Sequence, residues 1–114
     1  MKNLIISASL AVLLAACASK ETINYISSSE LLAPHCKEEF IKRSSGLLPI
    51  ATAISPITYY NGRPVQACGV AESGYLRSAK SRMEYALSQC EVSRANGMKK
   101  APGLVVEPCR PFMP

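Results

Sequence analysis

The chain has 114 residues, with 13 Lys and Arg against 8 acidic side chains, all glutamate, and a formal net charge of +5. That length holds one domain at most, which excludes a multidomain enzyme and a polytopic membrane protein. Apolar residues make up 48% of the whole, but 12 of them fall in the first 16 positions, so the rest has a thin core of the kind that needs cross-links.

Lys2 supplies a short positive start, and residues 4–16 carry no charge. A bilayer span needs about 20 apolar residues; this run is too short for that but fits the apolar centre of a secretory signal. It ends Leu14-Ala15-Ala16-Cys17, an aliphatic residue, two small ones and a cysteine. Here the sequence resembles the lipobox of bacterial lipoproteins. The resemblance implies removal of residues 1–16 as a signal peptide and lipidation of Cys17. The Cys17 sulfur would carry a diacylglyceryl group, and the new amino terminus a fatty acyl chain such as palmitate. Ala18 and Ser19, in place of an aspartate after the cysteine, imply the periplasmic face of the outer membrane. Two lipid chains already give stable anchoring, at about 0.8 kcal/mol per buried methylene. The competing reading, an ordinary secreted protein with Cys17 as a spare thiol, leaves an unpaired cysteine in an oxidising compartment.

Residues 17–29 read as the lipidated terminus and a flexible tether, with short polar side chains and the run Ser27-Ser28-Ser29. Twelve extended residues reach about 40 Å at most. Ile23, Tyr25 and Ile26 qualify this, since they could dock as a short strand. Residues 30–114 form the domain. Pro34 suits the first turn of a helix, followed by Cys36, Phe40 and Ile41 and stopped by Ser44-Ser45-Gly46. Residues 50–60 are β-rich with an interruption at Pro56 that marks an edge or a bend. Asn61-Gly62 is the strongest hairpin signal in the chain. It predicts the pairs Tyr60–Arg63, Thr58–Val65 and Ile57–Gln66, with the second strand running on to about Ala71. A long helix is expected from about Ser78 to Asn96, with the stripe Ala79, Met83, Ala86, Leu87 and Cys90. Tyr75 and Leu76 extend that stripe, and Asn96-Gly97 ends it. Leu104 to Glu107 reads as a final strand closed by Pro108. The fold class is α+β, a small two-layer domain with a hairpin, an antiparallel sheet, one long helix and two disulfides.

With Cys17 assigned to lipid, Cys36, Cys68, Cys90 and Cys109 remain, and four cysteines allow three pairings. Cys90 lies on the inward helix face and Cys109 follows the strand expected to return beneath it, which favours 90–109 and leaves 36–68. The separations of 32, 22 and 19 positions lack the close ligand pairs of a zinc site and the C-x-x-C of a redox centre. The spacing of Ala86-Leu87, Cys90 and Cys109 is similar to that of small secreted cysteine domains, a likeness that brings no activity. His35 beside Cys36 suggests a base and a nucleophile, but adjacent helical residues do not face each other, and no aspartate exists to orient the imidazole.

Arg77, Lys80, Arg82, Arg94, Lys99 and Lys100 cluster around the long helix, a mild positive field that could attract an acidic partner, an anionic glycan or a lipid phosphate. The plainer reading is a solvated face in which Glu84 and Glu91 interleave with the bases. Tyr85 and Val92 on the helix, and Tyr59 and Tyr60 beside the turn, are read as a second packing layer rather than a recognition surface. Nucleic acid is disfavoured by compartment and by the absence of aromatic–basic alternation. The glutamates are scattered, so no catalytic residues, metal or cofactor are expected. The expected function is therefore non-enzymatic: a lipid-anchored envelope protein that binds or scaffolds an unknown envelope protein, glycan or lipid. The alternative is an inhibitor or immunity protein against a periplasmic hydrolase or toxin.

Overall fold

The computed structural model describes residues 21–44, 50–72 and 78–113. The lipobox and Cys17 lie outside that range, as do Ser45, Gly46, Tyr75, Leu76 and Arg77. In chain order the elements are α1, the helical residues 21–28; α2, Pro34–Ser44; β1, Ile50–Ile54; β2, Thr58–Tyr60; β3, Arg63–Val65; β4, Cys68–Glu72; α3, Ala79–Lys100; and β5, Arg110–Met113. The α+β class holds. A three-stranded antiparallel sheet runs in the order β4-β1-β5, and β2 and β3 make a separate two-stranded ribbon.

The turn forms as its residues dictate. Asn61 and Gly62 both take positive φ, 53° and 77°, the twist that a tight two-residue hairpin needs. Tyr60 then faces Arg63 and Thr58 faces Val65. The expected Ile57–Gln66 pair does not form. Ile54 faces Cys68 while Thr58 faces Val65, so three residues on one side oppose two on the other, and the hairpin bends as at a bulge. Pro56 has no N–H to give there. Ser55 fills the gap: its N–H donates to Ala67 O, and its hydroxyl accepts the Ala67 N–H at 2.9 Å. What reads as one strand to Ala71 is therefore two, with β4 returning to β1.

β1 is buried along its whole length because both of its faces are covered. Ala51 and Ala53 join Ala67, Ala71, Ala86 and Cys90 in one cluster, with Met83 and Leu87 of α3 packed against it. Ile50 and Ile54 join Val70, Cys36, Phe40, Leu32 and Ile26 in the other, under α1 and α2. Burying side chains such as Phe40 and Ile26, both fully enclosed, contributes about 2–3 kcal/mol each. The expected tether is corrected over residues 21–28; residues 17–20 lie outside the described residues. Residues 21–28 are helical rather than flexible or stranded, and Ile26 anchors them in the core. Tyr25 stacks on Phe112 at 5.6 Å, and Phe112 in turn on Phe40 at 6.1 Å.

α3 starts where expected. Ser78 is its N-cap, accepting the Ser81 N–H at 3.1 Å. It does not stop at Asn96-Gly97 but runs one turn further, to Lys100. Pro102 is the effective stop, since the residue before a proline is pushed out of helical geometry, and Ala101 is extended at φ −122°. The final strand is also displaced. Leu104 and Val106 are buried and Val105 exposed, the alternation of a strand, yet this stretch makes no ladder. Its backbone is satisfied by α3 instead: Arg94 Nε donates to Val106 O at 2.7 Å, and Val106 N–H meets the Met98 sulfur at 3.5 Å. The strand that completes the sheet lies past Pro108, at Arg110–Met113.

Candidate functional site: an open groove at the sheet edge

Both expected disulfides are present, Cys36–Cys68 and Cys90–Cys109, with Cα separations of 6.1 and 6.2 Å. The first pins α2 to the start of β4, and the second pins α3 to the approach of β5. Cys36 is thus bridged, and His35 turns elsewhere, its Nε2 donating to Gln66 O at 2.8 Å. The two do not form a thiol–imidazole pair. Among the described residues no group of three or more His, Cys, Asp or Glu is placed to hold a metal, and no helix is long and apolar enough to cross a membrane.

Gln66 is a polar hub that the hairpin pattern does not reveal. Its side chain is nearly fully buried, 5% exposed. Oε1 accepts the Ala33 N–H at 2.8 Å, while Nε2 donates to Leu31 O and Ser55 O, each at 2.7 Å. One amide therefore satisfies the start of α2, the loop before it and the bend after β1, which sets the angle between α2 and the sheet.

A second clamp holds the chain after α3. The Glu91 carboxylate accepts the Cys109 N–H at 2.9 Å and an Arg94 Nη1 donor at 2.8 Å. These two bonds, the backbone one first, hold its pKa below the ordinary carboxylate value. The expected basic cluster is accordingly divided. Arg94 serves this clamp, Lys80 pairs with Glu84 at 3.9 Å, and Lys99 and Lys100 stand exposed at the end of α3.

α2 and α3 cover opposite faces of the sheet, and beyond β4 a groove of about 750 Å³ opens between them. Its floor is Cys68, Gly69 and Val70; Glu39 and Arg43 wall one side, and α3 residues from Tyr85 to Lys100 wall the other. Arg43 bridges Glu39 and Glu72, closing one end with charge. Tyr85 and Val92 are 49% and 53% exposed here, so they are not the packing layer expected of them. Tyr59 is also exposed, whereas Tyr60 does pack, its hydroxyl donating to Pro102 O at 2.8 Å. The helix stays close to this strand because Gly69 has no side chain. A Cβ there would lie 2.5 Å from Cys90 N and closer still to Ala86 O.

The groove was not legible in the sequence, since its walls come from α2 and α3, which are separate in the chain and meet only at the edge of the sheet. Its trace is the pair Tyr85 and Val92, apolar side chains off the buried helix stripe. Comparison of the chain with protein-family models, with curated proteins and with solved structures finds no match.

Proposed function

We propose that the protein is a lipid-anchored binding protein of the bacterial envelope, held at the periplasmic face of the outer membrane through Cys17 and acting by engaging a partner rather than by turnover. One observation carries this reading. The bridges Cys36–Cys68 and Cys90–Cys109 account for four of the five cysteines. The fifth is the one that follows Leu14-Ala15-Ala16. Two disulfides in so small a domain also suit an oxidising compartment. With α1 docked through Ile26, only four steps of chain separate Cys17 from Glu21, about 14 Å fully extended. The domain therefore rides close to the lipid surface, not 40 Å above it. The groove beside β4 is the surface offered for binding.

The test is expression of the full chain in a Gram-negative host, followed by membrane fractionation and intact-mass analysis. The expected product begins at Cys17, carries the mass of a diacylglyceryl group and one acyl chain, and sediments with outer membrane. Cys17→Ser should move it to the soluble fraction. An unlipidated wild-type chain ends the proposal.

A further inference from the structure

We infer that β4 accepts an additional strand: the groove is a docking site for an extended, acidic segment of a partner protein, held by main-chain hydrogen bonds to Cys68 and Val70. This rests on reading the protein as a binding module and names the class of its partner.

The ladder decides which backbone groups are open. Ser55 N–H donates to Ala67 O, which makes Ser55–Ala67 a hydrogen-bonded pair, and such pairs alternate along an antiparallel ladder. Ala53–Gly69 and Ala51–Ala71 are then the next hydrogen-bonded pairs, facing inward. Cys68 and Val70 turn their N–H and C=O groups away from β1. The same alternation turns Thr52 and Ile54 away from β4, and these are the residues that meet Met113 and Arg110 of β5. β4 has β1 on one side and, among the described residues, no strand on the other.

Natural sheet edges are usually blunted by lysine, proline, a bulge or a covering element. β4, Cys-Gly-Val-Ala-Glu, carries no lysine or proline, and its one charge, Glu72, is taken by Arg43. The groove prolongs the sheet layer between two helices, so an incoming strand would gain walls as well as a ladder. Its volume falls within the range of ligand sites. Alternate side chains of that strand would point at α2 and α3, where Tyr85 and Val92 offer half-exposed apolar surface. Lys100 lines the groove near the hairpin end and has no ion pair among the described residues, which calls for an acidic residue in the guest. Strand addition draws affinity from main-chain bonds and selectivity from such alternate contacts.

The experiment uses the full lipidated chain in detergent micelles, panned against phage-displayed random nine-residue peptides. A selected peptide is synthesised and N-methylated at one position at a time. Affinity should fall about tenfold at every second residue and hold in between. Val70→Pro removes an outward donor but also a core side chain, so it is compared with Val70→Ala: only the proline variant should lose the N-methyl alternation, and Lys100→Glu should weaken binding several-fold. A flat N-methyl profile, or sensitivity at a three-to-four-residue period, would overturn strand addition. So would sedimentation of the chain as a dimer that Val70→Pro dissociates, since the edge would then be occupied by a second copy. A photo-crosslinking residue at Tyr85 in living cells separates the two readings. Capture of a partner there with a flat N-methyl profile removes strand addition and leaves the binding module standing. No capture and no selected peptide removes both.

Discussion

Gly69→Ala and Gly97→Ala make the same chemical change with opposite expected signs. At Gly69 the added methyl meets the backbone of α3, Ala86 O and Cys90 N, not the end of a flexible side chain. The helix cannot yield locally, because Cys90 is bridged to Cys109 and Glu91 holds the Cys109 N–H. Overpacking of this kind costs about 3 kcal/mol, and the smaller freedom of alanine in the unfolded chain returns only about 0.5–1 kcal/mol. The net loss of about 2–3 kcal/mol should lower Tm by roughly 10–20 °C in a domain of this size. Gly97 sits inside α3 with nothing within 4 Å of an added Cβ, so alanine there should stabilise by about 0.5–1 kcal/mol through helix propensity. Thermal unfolding by circular dichroism and urea titration at constant m-value read both variants. A Gly69→Ala protein melting within about 3 °C of wild type would show that α3 does not lie on the sheet as described.

Gln66→Ala should cost about 3 kcal/mol in urea titration, since it leaves the Ala33 N–H and the Leu31 and Ser55 carbonyls without their partner; a loss under 1 kcal/mol would show that the hub is dispensable. The Glu91 carboxyl is held below its ordinary value of 4.5 in the folded state, so its stabilisation is fully present above that value. The stabilisation is lost as pH falls through the lower folded value. Glu91→Gln should therefore be less stable than wild type near neutral pH and converge with it under acid, as read by stability measured from pH 7 down to 2. Removing a disulfide by paired Cys→Ala changes should cost about 3 kcal/mol for Cys90–Cys109 and about 4 kcal/mol for Cys36–Cys68, following their separations of 19 and 32. Denaturation of the two double variants checks both the magnitudes and their order.

Features set by neighbours in sequence were readable from it. The positive-φ turn at Asn61-Gly62, the start of α3 near Ser78 and its stripe at Met83, Ala86, Leu87 and Cys90 follow from residue type and period, while Ala79 at the head of that stripe is exposed. That stripe also favours the disulfide pairing that forms, out of the three that four cysteines allow. What distant partners decide was not readable. Asn96-Gly97 carries a local stop signal, but Met98 is needed beside Val106 and the helix continues. Leu104–Glu107 alternates like a strand, yet Arg94 takes the carbonyl a ladder would use. Gln66 in a hairpin looks like a surface residue until α2 closes over it. Ile26 hides among serines and glutamate, and only its burial shows that a helix, not a tether, precedes the domain. The groove belongs to this second group, because no single stretch of chain contains both of its walls.

The contrast between the two sides of β1 has a consequence for how the protein can change. Ala51 and Ala53 lie in the cluster with Ala86 and Cys90 of α3, the helix that Gly69 lets approach at close range, while Ile50 and Ile54 share space with the larger side chains of Phe40, Ile26 and Val70. Consecutive positions of one five-residue strand should then differ sharply in the replacements they accept, with the isoleucines trading for other aliphatics and the alanines for almost nothing but glycine or serine. Substitutions should therefore be accepted mainly on one side of the central strand, and far less on the side facing α3.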